Sequence, residues 1–161
     1  MLKIMVSLSL FILSTLSASQ SEALKVLCSD NNATACYEFA LPMVTGANAK
    51  AQDIKEEGMS YIRKACILGE NRACDIMGDN YYKDKSYIAA IPYLEKSCVR
   101  GIKSACESMG TIYRDGNDVK ADDVKSREYY EQACELKSGD ACFNVAIIYR
   151  GGFGVEKSRE K

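Results

Sequence analysis

The chain has 161 residues, with 21 Lys and Arg against 22 Asp and Glu, a net charge of −1, and neither histidine nor tryptophan. A near-neutral chain without a run of basic residues has no electrostatic footprint for nucleic acid. Without histidine the common zinc sites lose their usual nitrogen ligand, which argues against metal and leaves no expected cofactor.

Met1-Leu2-Lys3 is a short positive start, Ile4 to Leu16 an apolar stretch, and Ser17-Ala18-Ser19-Gln20 a small-residue exit. This pattern predicts a cleaved secretory signal over residues 1–19. It is too short for a spanning helix, which needs about 18 or more apolar residues. Residues 20–161 then form a single repeat domain, about 140 residues being the size of one ordinary domain. Loss of Lys3 shifts the net charge to −2, and no membrane association is expected after cleavage.

Eight cysteines follow as four pairs with one spacing: Cys28/Cys36, Cys66/Cys74, Cys98/Cys106 and Cys134/Cys142. An alanine precedes the second cysteine each time, at Ala35, Ala73, Ala105 and Ala141. Export and an even count imply disulfides. Eight cysteines allow on the order of a hundred pairings, but an internal repeat selects one local bridge made four times. Zinc sites prefer cysteines two to four residues apart, unlike these.

Between the pairs the pattern is helical. Counting from the second cysteine, a large apolar residue sits at +3 (Phe39, Met77, Met109, Val145) and a small one at +4 (Ala40, Gly78, Gly110, Ala146). Met43, Tyr81, Tyr113 and Tyr149 follow at +7. Offsets 0, 3, 4 and 7 trace one helix face. This predicts a helix A over about 33–44, 71–83, 103–114 and 140–150. A helix B ends at the first cysteine of the next pair, over about 50–66, 86–98 and 121–134. It carries Tyr61-Ile62, Tyr93-Leu94 and Tyr129-Tyr130, with Gly58, Ala90 and Ser126 one turn earlier. Pro92 should perturb the second of these by removing a backbone donor. Gly69, Gly101 and Gly139 lie between paired cysteines and suit the turn. Asp115-Gly116 and Gly151-Gly152 mark the turns from A to B. First cysteines recur after 38, 32 and 36 residues, a period of helix-pair solenoids. The fold class is therefore all-α, an α/α solenoid with about four cysteine-paired repeats, the last incomplete.

The phrases Tyr-Tyr-x-x-Ala-Cys at 129–134, Ala-Cys-x-x-x-Gly at 73–78 and Tyr-Arg-x-Gly-x-Gly-Val at 149–155 resemble Sel-like repeats, relatives of tetratricopeptide repeats. With paired cysteines, the chain from 28 to about 157 is similar to the Helicobacter-type cysteine-rich proteins. That resemblance implies a secreted or periplasmic protein. It also implies penicillin binding or β-lactamase activity, which some members are described as having. The first repeat departs from the pattern at Pro42 and Met43, and the fourth lacks a helix B.

Serine β-lactamase chemistry needs three motifs. Ser158-Arg159-Glu160-Lys161, Ser29-Asp30-Asn31 and Lys137-Ser138-Gly139 match or resemble them, but in the wrong chain order and in turns. No catalytic residue is assigned. Gly151-Gly152-Phe153-Gly154 lacks a basic residue in phosphate-loop register and reads as an interhelical turn.

Helical repeats bind along one face of their array. Resemblance to tetratricopeptide repeats places that face of helix A at offsets −2, +1, +5 and +8. The corresponding binding candidates are Arg72, Asp75, Asp79 and Tyr82, then Glu107, Thr111 and Arg114, then Phe143 and Arg150. Ser104, Asp140 and Ile147 share these offsets, as do Thr34, Tyr37, Leu41 and Val44 in the first repeat. The expected function is binding of a peptide, protein or peptidoglycan-related ligand. Alternatives are β-lactam binding with weak hydrolysis and a structural or host-interaction role. Asp30-Asn31-Asn32-Ala33-Thr34 resembles the acceptor site of periplasmic N-glycosylation in some ε-proteobacteria, which would place glycan on Asn32.

Overall fold

In a computed structural model, residues 18–46, 52–116 and 118–153 are described, and their regular structure is entirely helical. Residues 1–17 of the expected signal (1–19) and the Ser158–Lys161 motif lie outside these residues. The helices are α1 (residues 18–29), α2 (Ala33–Thr45), α3 (Gln52–Ile67), α4 (Asn71–Lys83), α5 (Tyr87–Val99), α6 (Lys103–Asp115), α7 (Asp123–Glu135) and α8 (Gly139–Gly151). Helix A is α2, α4, α6 and α8; helix B is α3, α5 and α7. The sequence expectation omitted α1, which ends just past Cys28, where a B helix belongs.

Each cysteine pair brackets the same turn. The N–H groups of Asn32, Glu70, Ile102 and Ser138 donate to the carbonyls of Leu27, Ala65, Ser97 and Ala133 at 2.9–3.1 Å. Inside that ring, the N–H three residues after the first cysteine donates to the cysteine's own carbonyl. This is the Schellman arrangement, which satisfies the last carbonyls of one helix and turns the chain. It requires left-handed backbone at that third residue: Asn31 (φ 64°), Gly69 (98°), Gly101 (86°) and Lys137 (66°). Gly139 is thus not the turn residue expected of it; it begins α8. Lysine carries the left-handed conformation at a cost of about 1–2 kcal/mol.

The turn brings paired Cα atoms to 4.6–4.7 Å in Cys28–Cys36, Cys98–Cys106 and Cys134–Cys142, each a disulfide. Cys66 and Cys74 are disulfide-bonded as well, and no described cysteine is free. The alanine before each second cysteine is buried, at most 5 % exposed. Ala65 and Ala133, before the first cysteines, are fully buried and Ser97 nearly so. Small side chains on both arms let the two helices close around the bridge.

The chain divides into two compact units at Ala73/Cys74. In the first, Gly58 of α3 lies against Met43 and Val44 of α2, where an added Cβ would come within 2.8–2.9 Å. Phe39 and Tyr61 pack edge to face at 4.9 Å. Lys64 Nζ donates to the Cys28 carbonyl at 2.7 Å, capping the end of α1 with a cation.

In the second unit the A–B contact is built twice. Gly78 faces Tyr93 and Leu94, and Gly110 faces the Tyr130 ring. Tyr81 stacks on Tyr93 at 5.7 Å and Tyr113 on Tyr129 at 5.8 Å. In the first repeat Met43 replaces the +7 tyrosine, and Tyr61 takes Phe39 instead. The second unit's core runs through Leu94, Met109, Ile112, Tyr130 and Ile148. Helix α5 continues through Pro92 instead of breaking. The bond lost is the one to the Ile88 carbonyl; Ile88 is 66 % exposed, so water can serve that oxygen.

Candidate functional site: troughs between A helices

Two troughs lie in the second unit. The first, about 240 Å³, has Asp75 and Asp79 of α4 on one side and Ser104 and Ser108 of α6 on the other, over Leu94 and Ser97 of α5. The second, about 350 Å³, has Arg114 of α6 and Asn144 and Ile147 of α8 over Ser126 and Tyr130 of α7. Phe153 also lines it.

The polar side chains of the first trough are mutually engaged. Ser97 Oγ donates to Asp75, which also accepts the Arg100 guanidinium. Asp79 is exposed and pairs with Lys83 at 2.6 Å along the same helix. Such an exposed pair contributes little to stability, so Asp79 remains available to a ligand. In the second trough Tyr130 is buried, and its hydroxyl shares a 2.9 Å hydrogen bond with Thr111 Oγ1. Burial pushes the Tyr130 hydroxyl up in pKa, with the Thr111 bond and the Arg114 charge acting against it. Arg114 Nε donates to Asp115 Oδ1 at 2.8 Å, and its guanidinium lies 5.9 Å from the Tyr130 ring centre.

The expected binding residues separate into groups. Asp75 and Asp79 meet in the first trough, and Arg114 lines the second. Glu107 accepts from Ser138 Oγ, joining α6 to the turn before α8. Thr111 holds Tyr130, and Tyr82 packs edge to face on Tyr87 at 5.6 Å. Phe143 is 67 % exposed and Arg150 is exposed in the last turn of α8; neither lines a trough. Arg72 belongs to the first unit. Its guanidinium lies 4.4 Å from the Tyr37 ring and bonds Glu70 through Nε at 2.9 Å. The trough floors come from helix B, which sequence reasoning treated as packing alone. One signal was present: Tyr130 stands where Ile62 and Leu94 stand in the other B helices, bringing a hydroxyl into an aliphatic position.

The Arg72 side chain is the main cause holding Glu70 down to a pKa of about 2; Thr34 Oγ1 adds a bond at 3.1 Å. A depressed folded pKa stabilises fully above the ordinary value of 4.5 and is lost as pH falls towards 2. Glu70→Gln should therefore reduce the loss of stability between those values. Thermal melts from pH 5 to pH 2 measure it; an unchanged acid limb would show that the pair is uncoupled from folding.

Elsewhere, Asn32 caps α2, its Oδ1 accepting from Ala35 N at 2.9 Å. Ser29 and Asn31 lie in the first Schellman turn. Ser138 caps α8, accepting from Ala141 N at 3.2 Å. The two β-lactamase-like motifs within the described residues are thus helix-terminal turns.

Residues 103–138 and 139–161 match the Sel1 repeat family. HcpC of Helicobacter pylori, which carries a β-lactamase name, is 42% identical over 40 residues, 25% of this chain and 14% of that protein. Cytochrome c oxidase assembly factor 7 of Xenopus tropicalis is 28% identical over 143 residues, 86% of this chain and 49% of that one. Among solved structures, c5321 of uropathogenic Escherichia coli, a protective antigen with an SLR fold, superposes with a TM-score of 0.66 at 22% identity. That match covers 86% of this chain and 30% of c5321. The chain spans less than half the length of each of these relatives. Residues 103–161 carry the Sel1 repeat, and the described residues share the SLR fold.

Proposed function

We propose that this protein is an exported partner-binding repeat protein, engaging a peptide, protein or cell-wall-derived ligand along the A-helix troughs. The observation that carries the reading is the pair of consecutive troughs, each walled by two A helices and floored by the B helix between them. Repeat arrays use such extended surfaces for binding. Export is supported by the disulfides, which persist in oxidising compartments such as the periplasm or outside the cell. No described helix is long and apolar enough to cross a membrane.

A photo-crosslinking residue at Asp79 or Ile147 should capture a partner in the producing cell. The same residue at Lys96 or Glu128, exposed on B helices, should not. Equal capture from all four positions would reject the trough as the binding face.

A second reading, β-lactam binding, rests on the name of HcpC. Ser29 and Ser138 are spent on turn and cap, so a fluorescent penicillin should label neither. Covalent labelling of either serine would restore the enzyme reading.

A further inference from the structure

The second trough differs from the first in kind. Its surface combines apolar groups from Ile147, Ile148, Phe153 and the Tyr130 ring with one cation, Arg114, and one anion, Asp123. Arg114 uses only Nε on Asp115. Its two terminal nitrogens hold no hydrogen bond among the described residues. Asp123 stands in the first turn of α7, exposed and without an ion pair among the described residues. Helix α6 ends at Asp115 and α7 begins at Asp123, so cation and anion come from adjoining ends of two helices, while the added apolar wall comes from α8 and Phe153.

A cavity with an adjoining cation and anion and an apolar remainder complements a ligand built the same way. We propose that this trough binds a small apolar zwitterion, an apolar amino acid or dipeptide, with its carboxylate on Arg114, its ammonium on Asp123 and its side chain against Tyr130 and Ile147. Arg presents paired donors that suit a carboxylate. A purely anionic ligand would meet Asp115 and Asp123, and a purely cationic one Arg114; a zwitterion meets neither conflict. The volume, about 350 Å³, lies at the small end of ligand pockets, about 300–1,000 Å³. The proposal goes beyond the partner-binding reading and does not depend on it: a failed crosslink leaves it standing.

The probe is L-phenylalanine, titrated into the oxidised protein with amide resonances followed by NMR. Shifts should concentrate on α7 and α8 around Tyr130 and Ile147. Phenylalaninamide and N-acetylphenylalanine, each lacking one charge, should bind at least tenfold more weakly. Arg114→Gln should make the protein indifferent between phenylalanine and its amide, and Asp123→Asn indifferent between phenylalanine and its acetyl form. These within-variant ratios separate recognition from a general loss of fold, which circular dichroism checks. Leucyl-phenylalanine distinguishes the sources: tighter binding than phenylalanine assigns the site to dipeptides, weaker binding to free amino acids. Absence of saturable shifts with both phenylalanine and leucyl-phenylalanine overturns the proposal, as does equal binding of the capped analogues.

Discussion

Replacing Cys98 and Cys106 together by serine should lower the unfolding free energy by about 2–5 kcal/mol. The bridge closes a loop of eight residues' separation, for which chain entropy alone accounts for about 2–3 kcal/mol. The rest comes from position. Both cysteines belong to the second unit's core, 4 % and 0 % exposed, and serine would bury two hydroxyls in their place. The bridge also ties α5 to α6, and in an array stabilised by nearest-neighbour contacts one weakened junction has few distant contacts to compensate. Denaturant melts of the oxidised proteins measure the effect. An unchanged midpoint and slope would mean that the turn's backbone bonds suffice. The same exchange at Cys134 and Cys142, both only half-buried, should cost less.

Tyr130→Ala should cost about 3–5 kcal/mol, the range for emptying a buried aromatic site. Tyr130 is the largest fully buried side chain among the described residues. Its ring fills the space left by Gly110, where an added Cβ would come within 2.9 Å of three ring atoms. Gly110→Ala alone should therefore destabilise by about 1–3 kcal/mol through overpacking. Combined with Tyr130→Ala it should cost less than the sum, because the new methyl enters the vacated space. Additive losses would show that ring and glycine do not share one packing site. Tyr130→Phe, which removes only the hydroxyl bonded to Thr111, should cost about 1 kcal/mol.

The helices were legible because their determinants are local and repeated. Offsets 3, 4 and 7 from a fixed cysteine place each A helix to within about a residue of its observed ends, and the small +4 residues mark the buried contact in α2, α4 and α6. Ala146, at the same offset in α8, is exposed, and no described helix follows it. What was hidden depends on backbone geometry or on neighbours in space. The left-handed turn residue is fixed by its distance from the first cysteine, so Lys137 takes it although a glycine lies two residues on. Helix α1 escaped notice because residues 20–27 contain no aromatic at the position of Tyr61, Tyr93 or Tyr129. The troughs escaped because a lining residue such as Asp123 carries no mark in sequence; it reads as an ordinary acid in the first turn of a helix.

The Schellman turns bear on how the chain acquires its disulfides. Each native partner is eight residues away, and short separations are the least costly for a disordered chain to close. The backbone bonds of the turn bring the thiols together without help from distant parts of the protein. The strongest helix–helix contacts also join neighbours in sequence, α2 with α3, α5 with α6, α6 with α7 and α7 with α8, a topology associated with rapid folding. In an oxidising environment the chain can therefore close one junction at a time, with each correct pair the nearest one available.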